Sequence, residues 1–172
     1  MKTSKTRRTL IYITEASAIA ALYTAITVAI GPLGSSAIQC RIPEAMCVLA
    51  IFTPAAIPGL TIGCLISNFA TGCLWQDILF GTLATLIGAI GARLLRRVWW
   101  LTPLPTVVAN TLIIPFVLAY AYNVPDGIGF LMFTVGIGEV ISAYVLGLLL
   151  YFALRKNAHY IFKSAKNQQT DK

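Results

Sequence analysis

The sequence predicts an all-α integral membrane protein of six transmembrane helices with both termini in the cytoplasm, and three observations carry that prediction. Of its 172 residues 58% are hydrophobic and only 11% charged, against the roughly 25% charged residues that a water-facing domain needs to cover its surface. The apolar residues come in long blocks rather than in alternation with polar ones, and a hydrocarbon layer roughly 30 Å thick takes about 20 helical residues to cross. The basic residues sit in the gaps between the blocks. Four, three and five of the 13 Lys and Arg fall in the N-terminal segment, around Arg93, Arg96 and Arg97, and from Arg155 onward. Only Arg41 lies on the opposite side, an asymmetry that places both ends inside.

Each element has its own local reason. Positions 10–30 form the first helix, which stops at the breaker pair Gly31-Pro32. The apolar stretch is too long for the core of a signal peptide, so it reads as a retained crossing. Positions 33–42 are irregular and polar by local standards, with Ser35, Ser36, Gln39 and Arg41. Apolar sequence resumes at Pro43, which suits a first helical turn, and Glu44 is favourable at the positive end of that helix. Thr53-Pro54 and Pro58-Gly59 interrupt the next block, which reads as a hairpin of two short helices, about 43–54 and 57–73. The fourth helix starts near Asp77 and ends at the Arg93, Arg96, Arg97 cluster. The fifth follows Trp99-Trp100, Pro103 and Pro105 and runs to about Tyr122. A turn over 123–129 contains Pro125, Asp126 and Gly127, and the last helix covers 130–154. The segments 1–9 and 156–172 are basic and too short to hold a core, which leaves 10–155 as the one membrane domain.

Charge in lipid costs about 2.5–3.5 kcal/mol per residue on insertion scales, so each intramembrane carboxylate needs a reason. Glu139 lies well inside the last helix, with Gly136, Ser142 and Ala143 as its small helical neighbours. Glu44 opens the second helix and either caps it, pairs with Arg41 or binds a ligand. Glu139 is open to a binding role or to a structural one, protonated or in an inter-helix hydrogen bond. Asn68 shares a helix face with Cys64, Thr71 and Gly72. If these faces converge they form an outward-facing polar pocket under the 33–42 loop. Asp77 and Trp75 stand at the same outer interface, where either contacts a ligand or simply marks the boundary. Glu15, near Arg8, reads as structural or as a partner contact. Alanines four apart on the first helix (Ala16 and Ala20, Ala21 and Ala25) let helix backbones approach closely, within the bundle or against another protein.

Other chemistries are poorly supplied. The +7 net charge follows the topology of the loops and implies no nucleic acid. Cys40, Cys47, Cys64 and Cys73 lack Cys-x-x-Cys spacing and His159 is alone, so neither a metal nor a redox cofactor is expected. No phosphate loop or catalytic motif is present, so no catalytic residue is assigned. A membrane-embedded enzyme using Asp77 and Trp75, and a small homo-oligomeric channel, stand as the competing classes.

Several runs carry a resemblance: Gln39-Cys-Arg-Ile-Pro-Glu44-Ala, Thr53-Pro-Ala-Ala-Ile-Pro-Gly59, Ile62-Gly-Cys-Leu-Ile-Ser-Asn68, Asp77-Ile-Leu-Phe-Gly-Thr-Leu-Ala-Thr85 and Gly136-Ile-Gly-Glu139. In this order they resemble the QueT family across nearly the whole membrane region. That resemblance implies the substrate-binding (S) component of an energy-coupling factor (ECF) transporter, with a six-helix bundle and a queuosine precursor, a 7-deazaguanine, as ligand; an S component for a different vitamin-like ligand is the nearest alternative. It implies as partners a transmembrane coupling subunit, two ATP-hydrolysing subunits and the lipid of the cell membrane. It also implies that the small-residue strip of the first helix (Ala16, Ala20, Ala21, Ala25) docks on the coupling subunit, and that the S component topples to carry its ligand inward. Glu44, Glu139, Asn68, Gln39, Arg41, Asp77 and Trp75 are the substrate-binding candidates under that reading.

Overall fold

The computed structural model describes residues 2–30 and 41–162, and among them every regular element is helical. The first helix, α1 (Lys2–Ile30), begins eight residues before the predicted start. Nothing between Lys2 and Leu10 breaks a helix, so the basic segment simply continues it. After positions 31–40, which lie outside the described residues together with Gln39, a 3₁₀ helix (Ile42–Val48) runs into α2 (Leu49–Phe52). Next come α3 (Ala56–Ala70), α4 (Trp75–Leu94) and, after a 3₁₀ turn at Trp99–Leu101, α5 (Leu104–Tyr120). The final helical run consists of α6 (Ile128–Glu139), a π-helical stretch (Val140–Leu146) and α7 (Gly147–Leu154), with one short turn, α8 (Ala158–Ile161), beyond it.

Four helices are long and apolar enough to cross a membrane: Lys5–Ile30, Trp75–Leu94, Trp99–Tyr120 and Ile128–Leu154. The predicted second and third helices are present as the shorter apolar helices Ile42–Phe52 and Ala56–Ala70. With a rise of about 2.0 Å per residue in the 3₁₀ part and about 1.5 Å in the α part, the 42–52 segment is only some 20 Å long. It has no need of full length because it is enclosed. Every residue from Pro43 to Ala50 is buried, as expected of a helix that is apolar on all sides. Around it α1 packs on α3, α3 on α4, α4 on α5 and α5 on α6, while the 3₁₀ segment meets the π stretch and α7.

The boundaries that moved have visible causes. The third helix ends at Ala70, three residues early, because Gly72 takes a left-handed conformation (φ +72°). Cys73 N then donates to Asn68 O at 3.0 Å and Gly72 N to Phe69 O at 3.2 Å, the paired bonds that close a helix C-terminus. At the other end of α3, Thr53 Oγ1 accepts from Ala55 N at 3.2 Å and donates to Glu15 Oε2 at 2.8 Å, which ties α1 to the α2–α3 turn. The last carbonyls of α2, Ala50 O and Ile51 O, accept from Arg93 Nη1 at 2.9 and 3.2 Å. A helix end so deep in an apolar bundle would otherwise leave acceptors unmet.

Close packing follows the small residues. A Cβ on Gly59 would lie 2.9 Å from Ala16 O, and one on Gly63 3.0 Å from Ala20 O. Ala16 and Ala20 are therefore covered by α3. Ala21 and Ala25 are exposed on the opposite side of α1. The bundle as a whole is apolar outside, with Phe69, Phe133 and Leu149 all more than half exposed. Its interior is rich in polar groups: Glu44, Ser67, Asn68, Asp77, Thr85, Thr106, Asn110, Glu139 and Ser142 are all buried.

Candidate functional site

Those polar side chains come from the 3₁₀ helix, α3, α4, α5, α6 and the π stretch. At one end stands a charged clasp. Arg41, at the start of the 3₁₀ helix, donates from Nη2 to Asp77 Oδ1 at 3.2 Å and Oδ2 at 3.4 Å, and Tyr122 Oη donates to Asp77 Oδ2 at 3.2 Å. Tyr122 in turn accepts from Leu74 N at 3.2 Å. Partial burial first, and the nearby Asp77 carboxylate as well, push the Tyr122 phenol up to about 12, so it stays a donor. Gly81, one helical turn below Asp77, makes room for this meeting. A Cβ there would stand 3.2 Å from both Asn68 Nδ2 and Asp77 Oδ1 and 3.4 Å from Arg41 Nη1. Asn68, Arg41 and Asp77 are thus brought together. The sequence left Glu44 open to pairing with Arg41; its guanidinium turns to Asp77 instead, 36 residues away.

Deeper lies Glu44, 2% exposed. Its Oε1 accepts from Tyr23 Oη at 2.7 Å. The Thr85 hydroxyl lies 3.3 Å from the same oxygen and 3.1 Å from Gly81 O. Cys64 Sγ closes the group, 3.3 Å from Thr85 Oγ1 and 3.5 Å from Asn68 Nδ2. The spacing Asp77, Gly81, Thr85 sets one face of α4 against this cluster, because residues four apart share a helix face.

Glu139 ends α6 and is 1% exposed. The two buried carboxylates stand within each other's electrostatic reach, and Cys47 of the 3₁₀ helix lies within reach of both. Glu139 keeps an oxygen, Oε2, with no hydrogen-bond partner. Asn110 lies against it without the geometry of a hydrogen bond, and both polar atoms of Asn110 are unpartnered, as is Thr106 Oγ1 one turn away on α5. A buried polar atom without a partner costs about 1–3 kcal/mol. Glu139 and Asn110 together form an arrangement that a polar guest with both donors and acceptors can complete.

The remaining candidates stand apart. Trp75 is 67% exposed at the first turn of α4, pointing away from the polar core. Two apolar grooves of about 500 and 550 Å³ run along the outside of the bundle, one between α4 and α5 near Phe80 and Phe116, one between α5 and α6 near Thr111 and Gly136. Neither is lined by Glu44 or Glu139. Among the described residues no group of three or more His, Cys, Asp or Glu could hold a metal ion.

Sequence reasoning missed Tyr23, Thr85, Thr106 and Asn110. Thr106 and Asn110 carried a signal, two polar residues four apart in a largely apolar helix. The charge rule that singled out the carboxylates did not weigh uncharged groups.

The model of the QueT transporter family matches residues 13–156. A protein of Lactococcus lactis subsp. cremoris (strain MG1363) named "Queuosine precursor transporter QueT" is 37% identical over 89 residues, covering 51% of this chain and 50% of that protein. The matched stretch thus spans about half the length of that curated relative. No solved structure matches the chain.

Proposed function

The chain belongs to the QueT transporter family, and from that premise we propose that it is the substrate-binding subunit of an ECF-type transporter that captures a 7-deazaguanine precursor of queuosine. The observation that carries the proposal is Glu139: a carboxylate 1% exposed, with an unpartnered oxygen, among other unpartnered polar atoms, inside a bundle whose outer face is apolar. A deazaguanine ring presents a ring N–H beside an exocyclic amine, and one carboxylate accepts both in parallel. The aminomethyl form adds a cation, which favours a second acid near the first. Glu44 stands within reach to supply that charge.

The chain crosses the membrane six times in this reading, with both termini cytoplasmic and the clasp of Arg41, Asp77 and Tyr122 at the outer surface. Ligand enters from that side, beside Asn68; Gln39 stays a binding candidate outside the described residues. The exposed alanines Ala21 and Ala25 provide the close-approach surface for the coupling subunit. ATP is hydrolysed by partner subunits, so the chain itself is a binding protein rather than an enzyme. The experiment is direct. Purified protein in lipid nanodiscs binds 7-aminomethyl-7-deazaguanine without nucleotide, whereas uptake into vesicles requires the ATPase partners. No binding of any 7-deazaguanine refutes the ligand; uptake by the chain alone refutes the subunit role.

A further inference from the structure

Asn110 has the most anomalous environment in the bundle. It is 0% exposed, and neither Nδ2 nor Oδ1 has a hydrogen-bond partner. A carboxamide in a membrane helix commonly serves as glue, bonded to a neighbouring helix, and here no such bond is made. Leucine has the same branching and number of side-chain heavy atoms and would remove both unmet atoms, so an amide kept in this state needs a partner that arrives from elsewhere. Two neighbours define what that partner looks like. Glu139 Oε2 is an open acceptor, whereas Glu44 Oε1 is already engaged by Tyr23. Asn110 brings an open donor to the side of that acceptor.

We propose that Asn110 is a specificity-determining residue, its Nδ2 donating to the ring oxo group of the ligand while Glu139 accepts the adjacent ring N–H and exocyclic amine. The inference deepens the function proposed above and rests on it. On the recognition edge of a deazaguanine the order of groups is oxo, ring N–H, amine. A carboxylate that takes the last two therefore leaves the oxo group beside whatever donor is its neighbour, and the neighbour is Asn110. Acceptor-only or apolar side chains at this position leave the oxo group unpaired in a dry site.

The test replaces a single ligand atom. The 6-thio analogue of 7-aminomethyl-7-deazaguanine keeps the ring N–H and the amine for Glu139 but offers a poor acceptor to Asn110. Binding of both rings is measured by calorimetry on the full chain in nanodiscs. The wild-type protein prefers the oxo ring by about tenfold, the scale of one hydrogen bond to a buried group. In N110A, and in N110L, which keeps the side-chain branching but cannot donate, that preference falls to about twofold or less. Either variant suffices should the other fail to survive extraction. A wild-type protein that binds the two rings equally, or a variant that keeps the wild-type preference, overturns the role of Asn110 and leaves the function reading standing. A wild-type protein that binds neither ring overturns the function reading and this inference with it.

Discussion

Glu139→Gln separates a binding carboxylate from a structural one because the two roles predict opposite signs. The carboxylate is 1% exposed and one of its oxygens has no partner. Keeping an acidic side chain at this depth costs about 2.5–3.5 kcal/mol on insertion scales, and glutamine of nearly the same shape removes most of that. The unliganded variant is therefore at least as stable as the wild type. Each kcal/mol recovered raises the melting temperature by about 2–4 °C for a domain of this size. Binding moves the other way. Glutamine turns an amide donor toward a ligand edge that itself donates, and it forfeits hydrogen bonds to a charged group, about 1.5–3 kcal/mol, or roughly tenfold to 150-fold in Kd. Thermal unfolding in nanodiscs with and without 7-aminomethyl-7-deazaguanine reads both quantities in one experiment. The free variant melts at or above the wild type, and the ligand-induced shift nearly vanishes. A variant that melts lower and binds unchanged shows that Glu139 holds the bundle together, and the reasoning fails.

Gly63→Val drives a side chain into Tyr23 Cβ, 2.8 Å from the glycine's own Cβ position, and into Ala20 O at 3.0 Å. It lowers unfolding stability by about 1–3 kcal/mol and weakens ligand binding by displacing the Tyr23 donor from Glu44, both measurable by ligand-shifted thermal unfolding. Asp77→Asn strips Arg41 of its partner. With the guanidinium side chain 19% exposed the loss is about 1–3 kcal/mol, and faster hydrogen exchange at the turn between α3 and α4 reports it. The Tyr122 phenol titrates near 12 when folded and near about 10 when unfolded. The unfolded chain thus loses that proton first, stability falls between those two values, and Tyr122→Phe removes that part of the alkaline loss. Ala21→Leu with Ala25→Leu on the exposed face of α1 leaves ligand binding by the isolated protein unchanged and abolishes copurification of the coupling subunit; retained copurification places the docking surface elsewhere.

The helices were legible because their boundaries are chemical. Thr53-Pro54 and the Arg93, Arg96, Arg97 cluster stop apolar blocks for reasons that need no partner. The burial of 43–50 was also present in the sequence, as a run with only Glu44 to interrupt it. Glu44, Asp77 and Glu139 stood out because a charge in lipid is expensive wherever the fold puts it, and Asn68 because it shares a helix face with Cys64, Thr71 and Gly72. What pairs with them was not legible. Arg41 is three residues from Glu44 and 36 from Asp77, and only the packing of α4 beside the 3₁₀ helix, opened by Gly81, decides between them. The two faces of α1 illustrate the same limit: alanines at equal spacing look alike in sequence. Contact with Gly59 and Gly63 then distinguishes the covered pair, Ala16 and Ala20, from the exposed pair, Ala21 and Ala25. Hydroxyls such as those of Tyr23 and Thr85 are common in apolar helices, and nothing local sets them apart.

The π-helical stretch after Glu139 explains how one helix serves both the polar site and the enclosed segment beneath it. Glu139 is buried against the polar core, and Gly147 is buried against the 3₁₀ helix, where its Cβ position lies 3.2 Å from Val48 Cγ1 and 3.3 Å from Ala45 O. The two are eight residues apart. In an uninterrupted α-helix, at about 100° per residue, they would point roughly 80° away from each other, whereas a separation of seven leaves only about 20°. The π stretch (Val140–Leu146) accommodates the surplus residue, since its i→i+5 turns hold about one residue more than an α-turn. Deleting Val145, which is 50% exposed, should therefore convert the stretch to plain α-helix while Glu139 and Gly147 keep their places. The deletion variant extracts as a monodisperse protein with near wild-type melting and ligand binding. Deleting Leu112 from α5, at 54% exposure, has no surplus to absorb it: everything beyond is turned by about 100° and the bundle is lost. Equal damage from the two deletions would mean that the wider turns do not set the phase of Glu139, and that its approach to the polar core is imposed by the neighbouring helices alone.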